Sequence, residues 1–232
     1  MQTKDLHDLM QTVVDVQSMQ EELATLTVDP KKFPNPLPKK IGKLFLRKGY
    51  RDGNQSDDIV DVSKKNIKAQ SLKPSQSEIF MGKSLGMAIG GMAGGDLDAI
   101  ISQDNHILDG HHRWAATMFA DPSAKVGGSQ VKKKIGDLIP VLRSVGDALG
   151  NERRGAPAGG DISIYKASFS DVLSAIKTGK NMDSKFYNKE KAIAWLEKVG
   201  ESELKSRFTK LQSIKPPAGA PPRTDMPVID AD

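Results

Sequence analysis

Apolar residues recur at helical spacing near the start of the chain. Between residues 4 and 27 they fall three and four positions apart, which predicts an amphipathic helix with one apolar stripe. The stripe consists of Leu6, Leu9, Met10, Val13, Val16, Leu23 and Leu26. Such a helix can dock on the protein's own core, on a partner or on a second copy of the chain, and the pattern leaves these alternatives open.

Two longer segments further along also predict helices. Residues 79–92 read as a glycine-rich helix that packs closely on a sheet and ends at Gly94 and Gly95. From Gln130 to Gly150, apolar residues alternate at intervals of four and three, which predicts a helix with a kink at Pro140. The residues that define this spacing are Val131, Ile135, Leu138, Leu142, Val145 and Leu149.

The C-terminal part of the chain predicts three shorter helices before a proline-rich end. They cover about residues 169–178, 189–199 and 201–211, and Asn188 is placed to cap the second. The residues from 213 to 232 form a proline-rich tail that we do not expect to fold alone, so any order in it must come from contacts with the rest of the protein.

Short apolar segments predict strands. One ends at Leu108, another covers Ala99–Ser102, and the alternation of residues 162–166 predicts a strand that completes the sheet. Strands mixed with helices predict an α/β (α+β) fold. We divide the chain into an N-terminal helix and arm (1–57), a core with a helical insertion (58–168), a helical region (169–212) and the tail (213–232).

Composition narrows the class of protein. With 232 residues and 38% hydrophobic content, the chain can bury one core of ordinary size. It has no cysteine, which excludes disulfides, thiolate catalysis and cysteine-ligated zinc. No run of eighteen apolar residues and no secretory signal pattern is present, so we expect a soluble cytoplasmic protein that does not bind membranes.

Positive charge is concentrated in one proline-rich arm. Residues 29–51 hold eight lysines and arginines against one aspartate, together with four prolines that favour an extended path. Such an arm suits a solvated linker, a nucleic acid backbone or an acidic protein surface. The contacts with either partner would come mainly from Lys39, Lys40, Lys43, Arg47 and Lys48.

The segment from His106 to Ala116 holds the main candidate site. A strand, the turn at Gly110 and a helix start bring free backbone N–H groups and the helix dipole to one point, which favours an anion. Arg113 can bind two phosphate oxygens. His112 and His111 can each donate a hydrogen bond or exchange protons, and His111 can instead turn away and cap the helix start.

Other roles for the same residues stay open. A zinc site would need His106, His111, His112 and Asp109 on one ion, but adjacent histidines at a helix start point about 100° apart. A further alternative is that the histidines are structural caps in a fold used only for binding. Asp109 can hold Mg²⁺ through water or orient a histidine.

The run from Leu108 to Ala116 resembles the signature of the ParB/sulfiredoxin superfamily, which places a Gly-x-x-Arg turn around nucleotide phosphates. The segment Ile67–Gln76, with its Lys-Pro turn, is similar to the family's opening strand. The likeness covers about residues 58–120. It implies a small mixed sheet with packed helices, and a nucleotide at Gly110, His111, His112 and Arg113, with Lys83 and Ser84 as second contacts.

Departures from the family's patterns separate its functions. His111 stands where sulfiredoxins carry their cysteine, so sulfinic acid reduction is excluded. The Gly-His-His-Arg turn differs from the CTP-binding Gly-Glu-Arg-Arg of partition proteins, and only about a hundred residues follow it, so we do not expect a partition role. The variant here resembles the superfamily's free serine kinases and ParB-like nuclease proteins of phages and plasmids.

The resemblance to the kinases implies a phosphoryl-transfer or nucleotide-hydrolysing protein that uses ATP or ADP, or else CTP, with Mg²⁺. Glu78 would be the base, with His112 and Asp109 beside the reacting phosphate. The first alternative is a nucleic-acid-binding protein or ParB-like nuclease. The second is a non-enzymatic adaptor in a phage particle or mobile-element complex, which would place the protein in a host cytoplasm or a virion.

Overall fold

Five strands form one mixed sheet. The computed structural model describes residues 62–139, 162–182 and 187–226. Its strands are β1 (Val62–Lys68), β2 (Lys73–Pro74), β3 (Gly95–Ser102), β4 (His106–Asp109) and β5 (Lys125–Val131). They lie in the order β1-β5-β3-β4-β2. The pairs β1/β5 and β3/β4 are antiparallel, whereas β3/β5 and β2/β4 are parallel.

Five helices pack with the sheet around one hydrophobic core in the described residues. They are α1 (Met81–Ile89), α2 (His111–Ala120), α3 (Phe169–Thr178), α4 (Lys189–Val199) and α5 (Glu201–Ser213). Residues 135–139 are also helical, and short 3-10 turns occupy Ala69–Ser71 and Arg223–Asp225. Mixed sheet and packed helices confirm the predicted α/β (α+β) class.

Helix α2 lies at the centre of the core. Trp114 is fully buried, and its indole N–H donates to the carbonyl of Ala69 at 2.8 Å. At the other end of α2, the ring of Phe119 stacks on Phe208 of α5 with centroids 6.1 Å apart. Arg207 of α5 also donates to the last carbonyls of α2. The C-terminal helices therefore share one hydrophobic core with the sheet.

Several sequence predictions are confirmed by these elements. The predicted strands at 99–102 and before residue 108 match β3 and β4, and the glycine-rich helix matches α1. The three C-terminal helices are present, and Asn188 caps α4 by accepting from the Lys191 N–H at 3.0 Å. The predictions for 4–27 and 29–51, and the kink at Pro140, lie outside the described residues.

Two predictions about the middle of the chain are wrong. Gln130 and Val131 belong to strand β5, and the helical residues begin only at 135. The spacing that predicts a helix from Gln130 onward therefore includes the end of a strand. Residues 162–166 do not form a strand: Ser163 makes a single bridge to Phe80, and residues 164–166 turn. The strand that joins β1 to the rest of the sheet is β5, which was not predicted.

None of the helices in the described ranges is long and apolar enough to cross a membrane.

Candidate functional site

The turn at Gly110 joins the end of β4 to the start of α2. Gly110 adopts φ +93° and ψ 14°, a left-handed conformation that most side chains disfavour. A Cβ there would lie 3.4 Å from the Cβ of Ala99, an ordinary contact distance, so the backbone conformation rather than lack of space favours glycine here. The first helical hydrogen bond runs from the Trp114 N–H to the Gly110 carbonyl at 2.8 Å.

The beginning of α2 has the features of an anion site. No side chain caps it, and the N–H groups of His111, His112 and Arg113 have no hydrogen-bond partner in the described part of the chain. These three groups and the positive end of the helix dipole favour a bound anion.

His111 is buried and serves the protein's own backbone. Its Nε2 accepts a hydrogen bond from the Ser75 N–H at 3.1 Å and lies 3.2 Å from the Ser75 hydroxyl, which itself donates to the Ile107 carbonyl. Burial lowers the pKa of His111 from 6.5 to about 3, so the ring is neutral near pH 7. His111 thus ties the segment after β2 to the start of α2.

His112 makes a similar contact with the backbone of Phe80, at the end of the same loop. Its Nε2 accepts from the Phe80 N–H at 3.2 Å, and its ring stacks on that of Phe80. Burial, and then the positive charges of Lys83, protonated His111 and Arg223, lower its pKa from 6.5 to about 3. Because Nε2 accepts, the proton of the neutral ring lies on Nδ1, which has no partner among the described residues.

Arg113 and Asp109 form a weak pair at the surface. The guanidinium Nη2 lies 3.7 Å from the Asp109 Oδ2, and the side chains are 35% and 70% exposed, respectively. Exposed pairs of this kind contribute little to stability. Arg113 is therefore held beside the turn without being locked into the interior.

The loop of residues 75–80 faces the start of α2. It is fixed at Ser75 and Phe80 by the two histidines, and within it the amide of Gln76 donates to the Glu78 carbonyl at 2.6 Å. Glu78 is half-buried, and its carboxylate has no ion-pair partner among the described residues. The loop thus presents Glu78 between two fixed points.

Helix α1 begins directly after this loop. Lys83 lies in its first turn, half-buried, and close enough to His112 to affect its pKa. Ser84 is fully buried, and its hydroxyl donates to the Phe80 carbonyl at 2.7 Å. Lys83 therefore lies near His112, whereas the Ser84 hydroxyl is bonded to its own helix.

His106 belongs to a separate cluster. His106 is the first residue of β4, whereas His111 follows the end of that strand. The Nδ1 of His106 lies 3.2 Å from the Asp104 Oδ2. Burial raises the pKa of Asp104, but the nearby His106 ring and the hydrogen bond from the Ser102 hydroxyl outweigh it and hold the pKa well below its usual range. Within the described ranges, no three His, Asp or Glu side chains are grouped so as to hold a metal ion.

Sequence reasoning missed two residues at this site. Phe80 lies under the ring of His112, and Arg223 lies over the ring of Phe80, with its Cζ 5.7 Å from the centroid. An aromatic residue before a helix was a weak signal for Phe80. Nothing in the sequence indicated that the tail returns to residue 80. The five basic residues predicted to bind a nucleic acid or an acidic surface, Lys39 to Lys48, lie outside the described residues.

Comparisons of the chain with protein-family models, with curated proteins and with solved structures found no significant match.

Proposed function

We propose that this protein binds the phosphates of ATP or ADP, with Mg²⁺, between the loop of residues 75–80 and the start of α2, and that it transfers or hydrolyses a phosphate in the manner of the ParB/sulfiredoxin superfamily. The proposal is carried by one observation: uncapped N–H groups of α2, the Arg113 guanidinium and the His112 Nδ1–H all lie at one helix start. Phosphoryl transfer depends mainly on such donors, because charge and position dominate its barrier.

The two histidines take different roles in this proposal. His111 positions the loop, since its Nε2 is occupied by the Ser75 N–H. His112 can do the same and still donate from Nδ1 to a phosphate oxygen. With a pKa lowered to about 3, His112 stays neutral near pH 7 and suits a hydrogen-bond donor better than a proton-transfer group.

Glu78 and Asp109 would supply the carboxylates. Glu78 would take the proton of an acceptor hydroxyl or of water as that oxygen attacks the terminal phosphorus of ATP. ADP would then leave with the electrons of the broken P–O bond. Asp109 is exposed enough to hold Mg²⁺ through water, and Mg²⁺ commonly takes its remaining ligands from nucleotide phosphates and water.

Calorimetry tests this proposal. ATP, ADP and CTP are titrated, with Mg²⁺, into the wild-type chain and into Arg113→Ala. We expect binding by the wild type and a loss of about tenfold or more in Arg113→Ala, because a charged hydrogen bond contributes about 1.5–3 kcal/mol. If no nucleotide binds the wild type, the proposal is wrong and an adaptor role is favoured.

Nucleic acid binding is a second candidate, favoured by exposed lysines at the edge of the sheet that β1 and β5 form. Edge strand β1, its neighbour β5 and the turn after β5 carry them: Lys64, Lys65, Lys68, Lys125, Lys132 and Lys134. Lys68 and Lys125 face each other across the strand pair, so a polyanion there would relieve their repulsion.

A salt series tests this second candidate. Binding of duplex and single-stranded DNA is measured between low and physiological salt for the wild type and for a Lys64→Gln, Lys68→Gln, Lys125→Gln variant. We expect affinity that falls steeply with salt and a shallower slope in the variant. Equal slopes would remove β1 and β5 from the contact.

A further inference from the structure

The segment that follows α5 returns across the candidate site. We call residues 214–226 the C-terminal strap. Its start is held by Tyr165, whose hydroxyl donates to the Ile214 carbonyl at 3.1 Å, and by Lys215, whose ammonium lies 5.0 Å from the centroid of the Tyr165 ring. Further along, the Pro221 carbonyl accepts from the Ser77 N–H at 2.9 Å.

The strap therefore contacts the same loop that the two histidines hold. Ser75 and Phe80 donate to His111 and His112, while Ser77, between them, donates to the strap. Near its end, Met226 is only 7% exposed, which anchors the strap beyond the loop. A segment rich in proline loses little backbone entropy when it is held in this way.

Arg223 is carried by the strap to the site. Its guanidinium lies over the Phe80 ring, which also stacks with the ring of His112. Both Arg223 and Lys83 are close enough to His112 to disfavour its protonated form. Cationic groups from α1 and from the strap thus approach one ring at the start of α2, which is the kind of position from which they can reach a phosphate bound there.

We propose that Arg223 is a phosphate ligand of the nucleotide site, brought from the far end of the chain by the C-terminal strap. This inference rests on the proposed function, because it concerns the same site. Arginine suits the role, since its planar guanidinium can bind two phosphate oxygens at once and also stack on an aromatic ring such as Phe80. The strap also covers the loop that carries Glu78, so it would help to exclude water from the phosphate.

The test compares Arg223→Gln with Lys215→Gln, which removes a cation from the same strap at Tyr165, away from the loop. Calorimetry of the full chain uses two probes, ATP with Mg²⁺ and inorganic tripolyphosphate. We expect Arg223→Gln to lower the affinity for both probes by about 10- to 100-fold, as for a lost charged hydrogen bond. Lys215→Gln should bind both probes with an affinity within about twofold of the wild type. Arg223→Lys should recover part of the loss, because it restores the charge without the planar fork.

Hydrogen exchange at the Ser77 amide separates a lost ligand from a detached strap. That amide donates to Pro221, so its protection reports whether the strap is docked. The proposal requires the Ser77 amide to stay protected in Arg223→Gln while phosphate affinity falls. Unchanged affinity, or weaker binding accompanied by loss of Ser77 protection, overturns the role of Arg223 as a ligand and leaves the proposed function standing. Failure of the wild type to bind either probe overturns both.

Discussion

The Nε2 of His112 accepts a hydrogen bond from the backbone N–H of Phe80 at 3.2 Å, and the two rings stack with centroids 5.7 Å apart. This contact joins the start of α2 to the start of α1 across 32 residues of sequence. It gives a histidine at the candidate site a structural task besides any chemical one.

Removal of the His112 ring should destabilise the fold. In His112→Ala the Phe80 N–H loses its acceptor and the stack is lost, so we expect the free energy of unfolding to fall by about 1–3 kcal/mol. Urea denaturation measures it. Arg113→Ala, next in sequence, removes only an exposed ion pair and should change the free energy by less than about 1 kcal/mol. A His112→Ala protein as stable as Arg113→Ala would show that the contact between His112 and Phe80 does not stabilise the fold.

Stability should fall as the pH drops below the ordinary pKa of histidine. The pKa values of His111 and His112 are lowered from 6.5 to about 3, so between these values the unfolded chain binds protons that the folded chain does not. The contribution of these two histidines to the free energy of unfolding is therefore fully present above pH 6.5. It is lost progressively as the pH falls toward 3, by up to about 1.4 kcal/mol per pH unit for each histidine.

The same urea series at pH 7, 6 and 5 checks this pH dependence. His112→Ala removes one of the two groups, so its slope between pH 6 and 5 should be smaller by about 1.4 kcal/mol per unit. Equal slopes in the wild type and the variant would mean that His112 is not held neutral.

Gly128 should tolerate no side chain. A Cβ there would lie 2.0 Å from the Ala99 carbonyl oxygen, in the parallel pair of β3 and β5. We expect Gly128→Ala to cost about 3 kcal/mol or more, because backbone rather than a flexible side chain must move. Gly91→Ala is the comparison: its φ is +79° but no atom lies within 4 Å, so about 1 kcal/mol is expected. Thermal denaturation measures the loss of stability in both variants. Equal losses would show that the close approach of β3 and β5 is not what requires glycine at position 128.

Glu78 should affect turnover more than binding. If Glu78 is the base, Glu78→Gln keeps the shape of the loop, and phosphate release or transfer from ATP should fall by about 100-fold or more. Affinity for ATP, measured by calorimetry, should stay within about threefold of the wild type. A variant that retains full turnover would assign the base elsewhere.

The sequence predicted those elements whose patterns are local. The helix after Gly110, the cap at Asn188 and the strands before Ser102 and Asp109 all follow from nearby residues. Strand β5 was missed because Gly127 and Gly128 indicate a turn when they are read alone. They occur in a strand because β3 and β1 approach too closely for side chains: a Cβ on Gly128 would clash with Ala99, and one on Gly127 with Asn66 and Asp96.

The direction of the site's side chains could not be predicted in the same way. The motif suggested that His111 and His112 face a ligand, but their Nε2 atoms face Ser75 and Phe80, more than 30 residues earlier. The position of Arg223 depends on contacts of the tail with Ser77 and Phe80, which lie far from it in sequence. Such partners are set by tertiary packing, which one sequence does not reveal.

The most direct test of the central claim follows backbone amide signals by NMR while ADP and Mg²⁺ are added to the full chain. If the start of α2 holds a phosphate, the N–H signals of His111, His112 and Arg113 should shift most, with one saturation curve, and the shifts should be lost in Arg113→Ala. Amides of these three residues that stay unchanged at saturating ADP would contradict the account.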